Sequence, residues 1–247
     1  MSDQDMQMET NDQLVLIAGL SAAGKSASLR NIRNQENWFY MNTEAGKKLP
    51  FRNKFQNYTI TDPYQVYEAF DFAQGNPDID VIVIDTLTFL MDMFESIYVL
   101  GAADTQKAWG AYGQFFKTLM QDKVAKSDKS VIILAHTRSE YDSSSLTMKS
   151  AIPIKGALKN NGIEAYFSTV VSTKKIAIKD LEPYENPMLN VTEQEKALGF
   201  KHVFQTQITK DTIGERIRSP MDLFTPAETY IDNDAAVLLK HLEEFYA

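Results

Sequence analysis

Leu14-Val-Leu-Ile-Ala-Gly19-Leu-Ser-Ala-Ala-Gly24-Lys25-Ser26 decides how the rest of this 247-residue chain reads. Leu14–Ala18 is an unbroken apolar run, which predicts a strand buried on both faces, as in a parallel sheet. Gly19 ends it, and Gly19 through Ser26 then matches G-x-x-x-x-G-K-[ST] between a strand and a helical pattern. The spacing has a physical reason. Gly19 and Gly24 permit a backbone whose successive N–H groups converge on a phosphate. Leu20, Ser21, Ala22, Ala23 and Ala27 complete that cradle, and a helix amino terminus adds partial positive charge. Lys25 supplies a point charge for β- and γ-phosphates, and the Ser26 hydroxyl is placed for Mg²⁺.

Working outward, Ser26 to about Asn34 predicts the helix after the loop. Trp38–Asn42 reads as a second buried strand rather than a base-stacking cluster, and Thr59–Thr61 as a short third one. Asp62-Pro63 starts a helix that Gly75-Asn76-Pro77 stops. Ile79–Ile84 is a buried strand ending at Asp85. Leu87–Val99 and Lys107–Val124 read as helices. Val131–Ala135 is a further buried strand, ending at His136. Ser139–Ser150 is polar, Ser-rich and expected to be a mobile loop, and Gly156–Gly162 a short helix. Thr169–Lys179 and His202–Lys210 predict a β-rich carboxy-terminal part, closed by a helix over Asp234–Tyr246. The fold class is α/β, with a mostly parallel sheet covered by helices on both faces.

Composition narrows the chemistry. The chain has no Cys, which excludes disulfides, Cys-zinc sites and a Cys nucleophile, and its three His are scattered. The net charge is −8, but the acid sits at the ends: Asp3, Asp5, Glu9 and Asp12 in residues 1–12, and six acids against Lys240 in 221–247. Residues 138–179 instead hold seven bases against three acids. Residues 1–12 read as a disordered acidic leader without the apolar segment of a signal peptide. No membrane-spanning run is present, and a cytoplasmic location is expected.

Two strand-end carboxylates extend the site. Asp85, after Val81-Ile-Val-Ile, stands where a second Mg²⁺ contact belongs. Thr86 follows it, so either the base for water attack comes from elsewhere or hydrolysis is poor. Glu44, at the end of the Trp38–Asn42 strand, shares the same sheet edge and can orient or deprotonate water. His202 and His241 show no partner pattern and are expected at the surface.

This order of motifs resembles the RecA family of ATPases over residues 13–225. The resemblance implies a single RecA-like ATPase domain over 13–247, with Lys25, Glu44, Asp85 and His136 catalytic and ATP and Mg²⁺ as cofactors. Ile132-Ile-Leu-Ala-His136-Thr137-Arg138 is similar to the strand whose polar end senses the γ-phosphate. The family has Gln near there, so His136 or Thr137 takes that place. Gln207–Pro220 resembles the segment that reaches a neighbouring subunit's nucleotide. Lys210 matches best, with Arg216 or Arg218 standing in for the Arg that often follows. The family's two DNA loops correspond to about 96–106 and 139–156. The second carries Arg138, Tyr141, Lys149 and Lys155, with Lys159 beyond, for phosphate contacts and base stacking.

A short, core-only chain of this kind looks most like the Sak-type single-strand annealing or recombination proteins of bacteriophages. The implied partners are single-stranded DNA, further copies in a filament or ring, and a single-strand binding protein; host cytoplasm is the implied location. Two other readings stay open. One is a ring-forming DNA helicase or loader motor. The other is a P-loop kinase or nucleotide-dependent switch that does not act on DNA. A kinase usually has an Arg-rich lid, whereas the region after His136 is rich in Lys and Ser.

Overall fold

The structure is a computed structural model that describes residues 11, 13–143 and 146–247. The leader expected over 1–12 lies, apart from Asn11, outside the described residues. The strands are β1 (Leu14–Gly19), β2 (Trp38–Asn42), β3 (Gln56–Thr59), β4 (Val81–Asp85), β5 (Ser130–His136), β6 (Arg138–Asp142), β7 (Thr147–Ala151), β8 (Thr169–Ala177), β9 (Phe200–Gln205) and β10 (Tyr230–Asp232). The helices are α1 (Gln65–Gln74), α2 (Leu87–Phe94), α3 (Thr105–Thr118), α4 (Leu158–Asn161), α5 (Ile178–Leu181), α6 (Glu193–Leu198) and α7 (Ala235–Tyr246). Wider helical turns over Glu95–Val99 and Leu119–Val124 prolong α2 and α3.

Eight strands form one sheet in the order β10-β9-β8-β1-β5-β4-β2-β3. The block from β8 to β3 is parallel, and β9 and β10 add to it antiparallel. This is the mixed α/β, mostly parallel architecture that the apolar runs predict. Alternate side chains of each central strand enter different cores, which is why those strands read as continuous apolar runs. Leu14, Leu16, Ile82, Ile84, Val131 and Ile133 pack with α1 to α3 on one face. Val15, Ile17, Val83, Ile132 and Leu134 pack with Leu29 and α7 on the other. Among the described residues no helix is long and apolar enough to cross a membrane.

Three local expectations are corrected. The helix predicted over Ser26 to about Asn34 is only a tight turn over Ser26–Leu29. Its polar side chains bond elsewhere: Ser28 Oγ donates to the Lys25 carbonyl, and Asn31 Nδ2 to Asp234. Such local and tertiary hydrogen bonds compete with a helix. The third strand covers Gln56–Thr59 rather than Thr59–Thr61, because the amides of Thr61 and Asp62 bond the Gln65 side chain before α1. The polar stretch Ser139–Ser150 is a β-hairpin, not an unstructured loop. β6 and β7 pair with Tyr141 opposite Met148, and Ser150 N–H anchors the hairpin on the Gly214 carbonyl. Ser144 and Ser145 at its turn lie outside the described residues.

Candidate active site

The carboxyl ends of β1, β2, β4 and β5 converge because register aligns them: Gly19 faces His136, and Asn42 faces Asp85. Loops after such strand ends form a crevice. Here it is a cavity of about 380 Å³ lined by Lys25, Tyr40, Glu44, Asp85, His136 and His202 among others.

Lys25 is 5% exposed. Its Nζ donates to the carbonyls of Gly19 (3.0 Å) and Leu20 (2.9 Å) and lies 3.1 Å from His136 Nδ1. Burial lowers its pKa to about 8, against the opposing pull of Asp85 and Glu44. Gly24 sits at φ +113°, a conformation few side chains tolerate.

Asp85, 2% exposed, accepts on Oδ2 from Ser26 Oγ (2.8 Å) and from the Tyr40 hydroxyl (2.7 Å). Burial pushes its carboxyl above the ordinary range, with the two hydroxyls opposing. Burial, with Asp85 beside it, also pushes the Tyr40 phenol far up, so it stays a donor. Asp85 Oδ1 is buried without a partner. An orphaned carboxylate oxygen beside a serine hydroxyl fits Mg²⁺, which takes few protein oxygens and completes its shell with water and phosphate.

Glu44 emerges from the turn after β2, where its N–H bonds Asn42 Oδ1. Its Oε1 lies 3.3 Å from His136 Nε2, and its Oε2 accepts from Lys47 Nζ at 2.7 Å. Burial raises the Glu44 carboxyl, but the bonds from Lys47 and His136 outweigh it, and the group stays below its usual range. Burial and the neighbouring Lys25 ammonium hold His136 below its ordinary pKa, hence neutral at pH 7. One tautomer satisfies both contacts: Nδ1 accepts from Lys25, and Nε2–H donates to Glu44.

Thus Lys25, Ser26, Glu44, Asp85 and His136, all read from the sequence, come together. Thr137 does not reach them; its N–H bonds the Gly19 carbonyl. Sequence reasoning missed Tyr40 and Lys47, because nothing local says which way a strand tyrosine or a loop lysine points. It also placed His202 at the surface, whereas His202 Nδ1 lies 2.7 Å from the Ala23 carbonyl. His241 is likewise engaged, stacked on Phe224 with Nε2 2.6 Å from the Leu223 carbonyl.

The bases assigned to DNA and to a neighbour stand outside this cavity. Arg138 pairs with Glu140, Lys149 with Asp142, and Lys155 with Glu95. Lys159 lies on α4. Arg216 is bound within its own chain to the buried Glu164 at 2.8 Å, while Lys210 and Arg218 are exposed.

A phosphate loop after a buried strand, with an aspartate ending β4 and a glutamate just beyond the neighbouring β2, fits a P-loop ATPase with a RecA-like core. A family model described as an AAA domain (AAA_24) matches residues 11–221, and the chain belongs to that family of ATPases. No curated protein matches the chain.

Proposed function

We propose that the chain binds ATP with Mg²⁺, hydrolyses it, and couples turnover to single-stranded DNA in a homo-oligomer that supports strand annealing or recombination. The observation that carries the ATPase part is the hydrogen-bonded row Lys25–His136–Glu44 across three strand ends. Backbone N–H groups of the loop and Lys25 take the phosphates, the ammonium giving up its bonds to Gly19, Leu20 and His136. Glu44 orients the attacking water and accepts its proton. His136 touches both, so phosphate at Lys25 is registered at Glu44. Ser26 and Asp85 would hold Mg²⁺, which when bound neutralises charge on the β- and γ-oxygens. Lys210, Arg216 or Arg218 of a neighbour would add a cation in trans, Arg216 only after leaving Glu164.

A pH dependence follows. The phosphates need the ammonium form of Lys25, and the free protein loses that proton as pH rises through about 8. ATP affinity is therefore expected to be flat from about pH 6.5 to 7.5 and to fall about tenfold per unit above 8. Calorimetric titration across pH 6.5–9.5 measures it; flat affinity to pH 9.5 would show Lys25 charged throughout.

The DNA part rests on the β6–β7 hairpin, which starts two residues after His136. Tyr141 (61% exposed) and Met148 (56%) face each other across it and offer a stacking surface. The hairpin bases carry acid partners, but exposed ion pairs hold only about 0–1 kcal/mol, and strand phosphates can displace them. A stacked base adds roughly 1–3 kcal/mol. The likeness to Sak-type phage annealing proteins and the single-strand binding partner belong with this reading. The test is ATP turnover with single-stranded or duplex DNA. Stimulation by single strands alone is expected, with Tyr141→Ala cutting the stimulated-to-basal ratio about tenfold. Turnover indifferent to DNA, with no strand binding, would turn the reading to a kinase or switch. ATP-driven duplex separation would favour a helicase or loader motor.

A further inference from the structure

Two side chains far from any motif hold the phosphate loop. His202 on β9 has Nδ1 2.7 Å from the Ala23 carbonyl, and Asn233, just after β10, donates from Nδ2 to the Gly24 carbonyl at 2.9 Å. The gap left by glycine makes this approach possible: a Cβ at Gly24 would lie 2.7 Å from Asn233 Nδ2 and 3.0 Å from His202 Nδ1. The turn carrying Asn233 is itself fixed to the segment after the loop. Arg30 Nη1 donates to the Asn233 carbonyl at 3.3 Å, and Asn31 Nδ2 to Asp234 at 2.7 Å. Asn233 is 2% exposed, and His202 also lines the cavity.

In a trans peptide the carbonyl and the following N–H point in opposite directions. A donor on the Ala23 carbonyl therefore fixes the N–H of Gly24, and a donor on the Gly24 carbonyl fixes the N–H of Lys25. These are two of the amides the loop offers to phosphate. We propose that His202 and Asn233 are positioning residues of the nucleotide site, pinning two loop peptides so that the Gly24 and Lys25 amides face the phosphates before the nucleotide arrives. The proposal rests on the ATP reading of that site. An amide already aimed costs no reorganisation on binding, so losing either pin weakens the phosphate contacts. The His202 contact to a carbonyl requires a proton on Nδ1, a role an amide donor can take over.

The experiment is ADP binding by calorimetry on the full chain, with thermal unfolding of the nucleotide-free protein alongside. His202→Ala and Asn233→Ala are each expected to raise the ADP Kd about tenfold, the loss of one positioned hydrogen bond. His202→Gln, which restores a donor, is expected to stay within about threefold of the parent. Asn233→Asp keeps the size but turns the donor into an acceptor, and is expected to bind ADP at least as weakly as the alanine variant. ADP affinity unchanged in both alanine variants, whatever their unfolding midpoints, overturns the proposal. Should the alanine variants fail to fold, parental affinity in Asn233→Asp overturns it equally. A parent chain that binds no ADP would overturn the ATP reading itself, an outcome distinct from variants that match a binding parent.

Discussion

Glu44→Gln is expected to lower ATP turnover by about a hundredfold or more, the usual contribution of a positioned general base. ATP affinity should stay within about threefold, since on the proposed mechanism the carboxylate would meet water rather than phosphate. The geometry makes this a sharp test. An amide oxygen can still accept from His136 Nε2–H, and only the contact of the other oxygen with the exposed Lys47 is given up, so the strand end keeps its link to β5 while losing its basicity. No acid follows Asp85 in sequence to substitute for it. Single-turnover and steady-state rates on the variant measure the effect; undiminished turnover would place the base elsewhere.

Lys25→Ala is expected to lower kcat/KM about a thousandfold, because it removes the buried ammonium that the proposed mechanism sets against the phosphates. The nucleotide-free protein should unfold at the parental temperature or above it. Burial has lowered the Lys25 pKa to about 8, so at pH 7 the fold bears the cost of keeping that ammonium charged. The substitution strips Gly19 and Leu20 carbonyls of a donor but removes that cost. Turnover and thermal unfolding together decide the matter. Turnover that survives would sink the phosphate-loop assignment, and a large fall in unfolding temperature would show Lys25 to be structural.

What could be read from the sequence follows from what is local. β1, β4 and β5 are legible because burial on both faces makes every residue apolar, and Asp85, Glu44 and His136 are legible because each interrupts or follows such a run. The phosphate loop is legible because its backbone requirement falls on residues within one turn. Tyr40 looks like core and is core; only the pairing of Asn42 with Asp85 brings its hydroxyl to that carboxylate. The β6–β7 hairpin was hidden because its Ser-rich turn masks the alternation, and its anchor on Gly214 lies far along the chain. The short turn after the loop replaces the expected helix for a similar reason: Asn31 reaches Asp234, 203 positions away.

That distance has a bearing on how the site is assembled during folding. The loop precedes its supports along the chain: Thr173, His202 and Asn233, which bond its carbonyls or those of β1, stand 155, 179 and 209 positions later. β1 itself has both of its neighbours, β5 and β8, still to come. Pairings that close such long loops form slowly and late. A chain cut before β8 thus carries the full phosphate-loop motif without a finished site. Motif and competence are therefore separable: the loop's own residues are local, but the bonds that hold its carbonyls come from β8, β9 and the turn after β10.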